Sequence, residues 1–216
     1  MNNIIFLGLA GAGKGTQAKI LSDNMGVPMV SSGDLFRFHL GNKTELGIEA
    51  NKYMITGALV PDDITIKMIL ERISEHDCTE GFILDGFPRT LQQAESLHEA
   101  VNGNINSVVY IKVTEEELIK RLSDRVICTI KSCNAILSKS DIQGLDSDCP
   151  VCNERSLSQR QDDLPEVVET RLKTQIPLIN QLVDYYNSKE ILICVDGEQN
   201  VDMVESEIQV KLGINQ

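Results

Sequence analysis

The sequence predicts an α/β fold: a three-layer sandwich with a central parallel sheet between helices, interrupted by two insertions. Three observations carry this. Short apolar runs recur at residues 4–7, 29–31, 82–84, 108–113 and 191–195, separated by helix-length segments, which is the pattern of strands buried on both faces of a parallel sheet. The first run ends in a glycine loop followed by a lysine. Two stretches, residues 31–60 and 124–163, break the alternation of strand and helix.

Each element has a local cause. Residues 4–16 read Ile-Ile-Phe-Leu-Gly-Leu-Ala-Gly-Ala-Gly-Lys-Gly-Thr. The apolar part makes the first strand. Gly8, Gly11 and Gly13 then let backbone N–H groups turn inward around an anion, and Lys14 can reach the outer phosphates of a nucleotide. Gly15 holds the position that such loops usually give to Ser or Thr, and the hydroxyl follows at Thr16. A helix starts at this loop and runs towards Asn24. Residues 35–40 and 46–54 carry short helical patterns, separated by Gly41 and closed by Gly57. The strand at 82–84 delivers Asp85 and then, across a turn, Arg89 and Gln93. Asp85 is placed to hold a Mg²⁺-bound water beside the phosphates, Arg89 offers a planar fork to phosphate or carboxylate, and Gln93 offers an amide to a base edge. Thr114 with Glu117 predicts a capping box, and Glu115, Glu116 and Glu117 load that first turn with negative charge. Pro165 is expected at the first position of a long helix reaching about Asn187, with a bend at Pro177. Val201, Val204, Ile208 and Leu212 recur at helical spacing and predict a last helix packed on the sheet.

Composition narrows the function. A chain of 216 residues can bury a substantial core in one domain. Its net charge of −12 opposes attraction to nucleic acid or an anionic membrane, so neither is expected as a partner. A polyanion must therefore meet a local basic site, which makes the placement of the eight arginines informative. The first apolar stretch is too short to span a bilayer and lacks a basic leader, so a cytoplasmic location is expected. No exposed apolar seam stands out, and a monomer is expected. His39, His76 and His98 lie on polar or helical stretches and are read as surface or packing residues.

In a reducing compartment, six cysteines are not expected to form structural disulfides. Four of them fall at Cys128, Cys133, Cys149 and Cys152, and these C-x4-C and C-x2-C clusters suit tetrahedral Zn²⁺. Such a metal is structural, because four protein ligands leave no open position for substrate. Spacing does not separate zinc from iron, and free thiols or a redox pair are the other readings.

At this point the sequence resembles the adenylate kinases, of the nucleoside monophosphate kinase class, over essentially its whole length. The matching pieces are the Gly8-to-Thr16 loop with Gln17, Ser31-Ser32-Gly33-Asp34 with Arg37, Gly57-Ala-Leu-Val-Pro-Asp62, Asp85-Gly-Phe-Pro-Arg-Thr-Leu-Gln-Gln93, Arg160-Gln-Asp-Asp163 with Arg171, and Val195-Asp-Gly197. The resemblance implies a P-loop kinase fold and reversible transfer of a phosphoryl group from Mg²⁺-ATP to AMP, giving two ADP. It divides the chain into a core (1–30, 61–123 and 164–216), a monophosphate-binding insert (31–60) and a lid (124–163). It implies that Gly11, Ala12, Gly13, Lys14, Gly15 and Thr16 hold the ATP phosphates. Arg121, Arg125, Ile136, Leu137 and the backbone at Gln199 would serve the donor nucleotide. Ser32, Arg37, Ala58, Leu59, Val60, Gly86, Phe87, Pro88, Arg89 and Gln93 would line the AMP pocket. Arg160 and Arg171 would reach the AMP phosphate and the moving group. Lys14, Asp85, Arg89, Arg125, Arg160 and Arg171 form the implied catalytic set. An AMP phosphate oxygen is already ionised near neutral pH, so no base is needed to activate it.

The chain also departs from the family pattern. Ala10 replaces a proline of the loop, Ser32 replaces threonine, and Val126 stands where a second arginine often follows Arg125. The first cysteine pair is two residues wider, around Ile130 and Lys131, and 135–148 lacks the usual aromatic and proline-rich segment. A kinase of UMP, CMP or GMP, or one using GTP, shares most of these features, although Gln93 and residues 57–60 favour AMP. A GTP-dependent switch needs an Asn-Lys-x-Asp segment, which the sequence lacks. A metal-stabilised binding module without catalysis would leave the arginines unexplained.

Overall fold

The computed structural model describes residues 2–130 and 132–214. Lys131, in the widened cysteine loop, lies outside the described residues. In chain order the elements are β1 (Asn2–Leu7), α1 (Lys14–Met25), β2 (Met29–Ser31), α2 (Ser32–Gly41), α3 (Glu45–Met54), α4 (Asp62–Ile73), β3 (Gly81–Asp85), α5 (Leu91–Ala100), β4 (Ser107–Lys112), α6 (Glu115–Asp124), β5 (Arg125–Cys128), β6 (Ile136–Ser138), β7 (Leu157–Ser158), α7 (Pro165–Ser188), β8 (Leu192–Asp196) and α8 (Val201–Leu212).

The predicted apolar runs become five strands in the order β2-β3-β1-β4-β8, all parallel. Ile5, Ile83, Leu84, Val108 and Val109 are fully buried, because helices cover both faces of these strands and leave no solvent side to be polar. The register sets Phe6 and Ser31 opposite Asp85, so the carboxyl ends of β1, β2 and β3 lie on one edge. From β1 the chain passes through α1 to β2 on one side, whereas from β3 it passes through α5 to β4 on the other. Such a reversal opens a crevice beyond the strand ends, where α/β sheets bind ligands.

Residues 31–60 fold as the helix pair α2 and α3, each started by a side-chain cap, Ser31 for α2 and Thr44 for α3. Residues 124–163 hold a separate antiparallel sheet, in the order β6-β5-β7. Sequence periodicity gave no sign of it, since strands of four, three and two residues are too short to alternate visibly.

One local expectation needs correction. Thr114 precedes α6, but its side chain makes no capping bond. Glu117 pairs instead with Arg121 Nε at 2.9 Å and Lys120 Nζ at 3.4 Å. The Thr114 N–H, which a capping box would have satisfied locally, donates to Glu198 Oε1 at 2.9 Å from the segment after β8. Helix α7 starts at Pro165 as expected and continues through Pro177 to Ser188. A proline removes one N–H donor, and the surrounding turns carry the helix past it.

Candidate functional site

The site starts at the end of β1. Gly13 adopts a left-handed conformation (φ 91°) immediately before α1, and the first turn of that helix has neither a side-chain cap nor an acidic residue. Its amide N–H groups are therefore left to an external anion at the positive end of the helix dipole. Close packing sets the loop height: a Cβ at Gly8 would come within 2.8 Å of the Ile111 carbonyl oxygen on β4. Lys14 Nζ donates to the Leu9 carbonyl at 2.9 Å across the loop. Burial lowers the Lys14 pKa to about 8; Asp85 acts in the opposite direction, while Arg89, Arg171 and Arg125 lower it further.

Asp85 ends β3 next to this loop. Its Oδ2 lies 3.4 Å from the point a Cβ at Gly15 would occupy, so the carboxylate sits directly against the start of α1. Among the described residues the Asp85 carboxylate makes no side-chain hydrogen bond or ion pair, so its oxygens are left to water or a hydrated cation. The residues present thus fit Mg²⁺ held indirectly beside a phosphate.

A single cavity of about 1010 Å³ spans the crevice. That is the upper end of the roughly 300–1,000 Å³ typical of one small-molecule site, and it leaves room for two ligands end to end. The structure brings residues 11–16, Ser32, Arg37, residues 58–60, Asp85, Gly86, Pro88, Arg89, Gln93, Arg121, Arg125, Ile136, Leu137, Arg160, Arg171 and Gln199 to its wall. Phe87 is the exception. It is fully buried and packs into the hydrophobic core behind that wall.

The arginines arrive from separate elements, and several are already matched. Arg37 pairs with Asp34 at 2.6 Å, and Arg171 Nη1 with Asp162 Oδ2 at 3.0 Å. Arg125 makes a two-pronged contact to the fully buried Asp163, Nε to Oδ2 at 2.7 Å and Nη2 to Oδ1 at 2.5 Å. Among the described residues Arg89 Nε donates only to the Gly86 carbonyl, at 2.7 Å, and Arg160 Nε is buried without a hydrogen-bond partner. Burial and neighbouring guanidinium groups, Arg171 for one and Arg37 for the other, lower the Arg89 and Arg160 pKa values to about 10. Such a cluster of under-compensated cations favours an anionic ligand.

Beside Arg89, Ser32 Oγ donates to the same Gly86 carbonyl at 2.7 Å. Gln93 is almost fully buried; its Oε1 accepts from the Arg89 N–H at 2.7 Å and its Nε2 donates to Asp62 Oδ1 at 2.6 Å. Sequence reading missed Asp62 as part of this constellation, because an aspartate opening a helix reads as a favourable first-turn charge. It also missed Gln175, which lines the cavity one helical turn beyond Arg171. The spacing of four on one helix was the available signal.

Away from the cavity core, Cys128 at the end of β5 meets Cys133, Cys149 and Cys152, with all four Sγ atoms within 4.8 Å of one another. Cys128 and Cys152 are 3.6 Å apart, Cys133 and Cys149 3.9 Å. A tetrahedron with Zn–S bonds of about 2.3 Å separates its sulfurs by roughly 3.8 Å, so the residues present fit that ion. The widened first pair closes as a turn, with Cys133 N–H donating to the Ile130 carbonyl at 3.0 Å and Asn134 N–H at 2.8 Å. The Ser156 hydroxyl, 3.0 Å from Cys128, lowers that thiol's pKa, while contacts among the four thiols raise those of Cys133 and Cys152.

Comparison with known proteins agrees with this geometry. Residues 6–191 match the family model described as Adenylate kinase. The chain is 42% identical over 211 residues to an adenylate kinase of Limosilactobacillus reuteri, covering 96% of each chain. It is 44% identical over 212 residues to one of Brevibacillus brevis, covering 96% of this chain and 97% of that one. An adenylate kinase of Methanosarcina barkeri is 41% identical over 214 residues, with 97% and 98% covered.

Proposed function

Because the chain belongs to the adenylate kinase family, we propose that its cleft transfers a phosphoryl group reversibly from Mg²⁺-ATP to AMP, giving two ADP. The observation that carries this is the convergence of the uncapped α1 loop, Lys14 and six arginines on one cavity large enough for two nucleotides.

In this reading residues 11–16 hold the donor phosphates through backbone N–H groups, and Lys14 neutralises charge on the outer ones. Arg121 and Arg125 flank the donor, and its base lies between the Gln199 backbone and Ile136 with Leu137. The acceptor lies against Ser32, Arg37, residues 58–60 and 86–89, with its base at Gln93; Phe87 contributes from behind by fixing that wall. Arg89, Arg160 and Arg171 align the acceptor phosphate and the group in flight. Mg²⁺, held through water by Asp85, supplies further charge neutralisation when bound. No side chain has to remove a proton from the nucleophile. The catalytic power is positioning and charge compensation in a site closed to water.

Closure falls to the two insertions in this reading, residues 31–60 over AMP and 124–163 as the lid, moving against the core formed by 1–30, 61–123 and 164–216. The four cysteines hold a structural Zn²⁺ that gives the lid its shape, since its three short strands bury little apolar surface. A cytoplasmic monomer without nucleic-acid partners fits the charge of −12. No helix among the described residues is long and apolar enough to cross a membrane. The test is ADP formation from ATP, AMP and Mg²⁺, with AMP omitted as control and UMP, CMP and GMP as rival acceptors. No ADP with AMP, or faster turnover with another monophosphate, would overturn the assignment.

A further inference from the structure

We propose that Asp62 locks the orientation of the Gln93 amide and thereby makes the acceptor pocket select adenine over 6-oxopurines. The proposal rests on the acceptor reading given above.

A carboxamide presents a C=O and an NH2 of nearly equal size, and a free one turns over to suit whichever base edge it meets. Gln93 cannot turn over freely. The Arg89 N–H is only a donor and fixes Oε1 at 2.7 Å, while the Asp62 carboxylate is only an acceptor and fixes Nε2 at 2.6 Å. Reversal would place C=O against carboxylate and NH2 against N–H, in a side chain with 1% of its surface exposed. Burial makes both mismatches costly.

The lock is itself anchored. Asp62 Oδ2 accepts from Thr90 Oγ1 at 2.6 Å, and the Thr90 side chain also caps α5 by accepting from the Gln93 N–H. Asp62 opens α4 directly after Val60, which lines the cavity, and Pro61. Carboxylate, amide and pocket wall are thus held in one short network.

The consequence follows from the atoms left over. Gln93 retains one N–H and one lone pair, side by side in fixed order. Adenine complements them with an acceptor at N1 and a donor at N6. Hypoxanthine and guanine carry a donor at N1 and an acceptor at O6, which match only the reversed amide. Asp62 touches no substrate in this account; it is a positioning residue acting through Gln93.

The experiment compares kcat/KM for AMP and IMP, with Mg²⁺-ATP, in the full chain and in Asp62→Asn. Asparagine is close in shape but can offer either a donor or an acceptor to Gln93. The AMP-to-IMP ratio should fall about tenfold or more, through KM for the two acceptors and not KM for ATP. Asp62→Glu, which restores the carboxylate, should recover part of the ratio. An unaltered chain that phosphorylates neither acceptor defeats the kinase reading. An unaltered chain that prefers AMP, with a folded Asp62→Asn variant that keeps the preference, defeats the lock alone. Should Asp62→Asn not fold, the ¹⁵N–¹H signals of the Gln93 amide in the unaltered protein decide the question, identified by their loss in Gln93→Met. A single sharp pair with and without saturating IMP is expected; doubling or exchange broadening on adding IMP overturns the proposal.

Discussion

Raising the pH from 7 to 9 should weaken ATP binding about tenfold, with Lys14 as the cause. Its amine is buried among Arg89, Arg125 and Arg171, and its pKa stands at about 8 in the empty cleft, far below the usual 10.5. Bound phosphates must raise that value again, because they bring negative charge to the same point. With a pKa of about 8, roughly nine-tenths of the empty protein carries a charged Lys14 at pH 7 and roughly one-tenth at pH 9. If phosphate binding needs the charged amine, the apparent dissociation constant rises by that ratio, and each binding event at pH 9 takes up nearly one proton. Phosphate ionisation does not confuse the result, since the last phosphate proton leaves at about pH 6. Titration calorimetry at pH 7, 8 and 9, in buffers of different ionisation enthalpy, measures both quantities. The dependence should vanish in Lys14→Met. Affinity that is flat across the range, or proton release in place of uptake, would show that the lysine is not the titrating cradle described above. The sign for stability is the opposite: a depressed lysine destabilises the empty fold in full below pH 8, and that cost is relieved as pH rises from 8 towards 10.5.

Other perturbations reach different parts of the site. Arg89→Ala should lower turnover by about a hundredfold or more while circular dichroism and melting stay near those of the unaltered chain. A near-normal rate would remove Arg89 from the mechanism. Asp163 is fully buried beneath Arg125, so Asp163→Ala strands a guanidinium and should cost about 3 kcal/mol in urea denaturation; a cost below about 1 kcal/mol would mean that solvent reaches the pair. Protein purified without added metal should contain about one zinc per chain by mass spectrometry, falling towards none in Cys149→Ala. Zinc near zero in the unaltered chain would overturn the zinc assignment.

Much of this was legible in the sequence, for identifiable reasons. The strands of the main sheet could be read because burial on both faces leaves unbroken apolar runs such as 4–7 and 82–84. The phosphate loop could be read because left-handed backbone at Gly13 and close approach at Gly8 admit little else. What escaped depends on partners distant in sequence. Glu117 had the right spacing to cap α6, but Glu198, 84 residues away from Thr114, took the N–H. Phe87 belongs to a motif whose neighbours face the cavity, yet its own side chain turns to the core. Asp62 could not be linked to Gln93, 31 residues later, before α4 and α5 were seen side by side.

The acidic residues of the cleft raise a final physical question, since a site that binds polyanions gains nothing obvious from Asp34, Asp162 and Asp163. Without them Arg37, Arg125 and Arg171 would face one another and Arg160 across a low-dielectric cavity, with mutual repulsion that burial would magnify. Pairing each with a carboxylate keeps the empty cleft folded, but it also means that an arriving phosphate must compete for a guanidinium already engaged. The competition need not be complete, because a guanidinium has five N–H donors and a carboxylate takes two of them. Arg125 accordingly offers its remaining donors without releasing Asp163. Among the described residues Lys14, Arg89 and Arg160 have no carboxylate partner within hydrogen-bond reach, and their charge is left for an anionic ligand to neutralise. A cleft so balanced holds nucleotides firmly enough to align them, and it also releases them, as a reaction that must run in both directions requires.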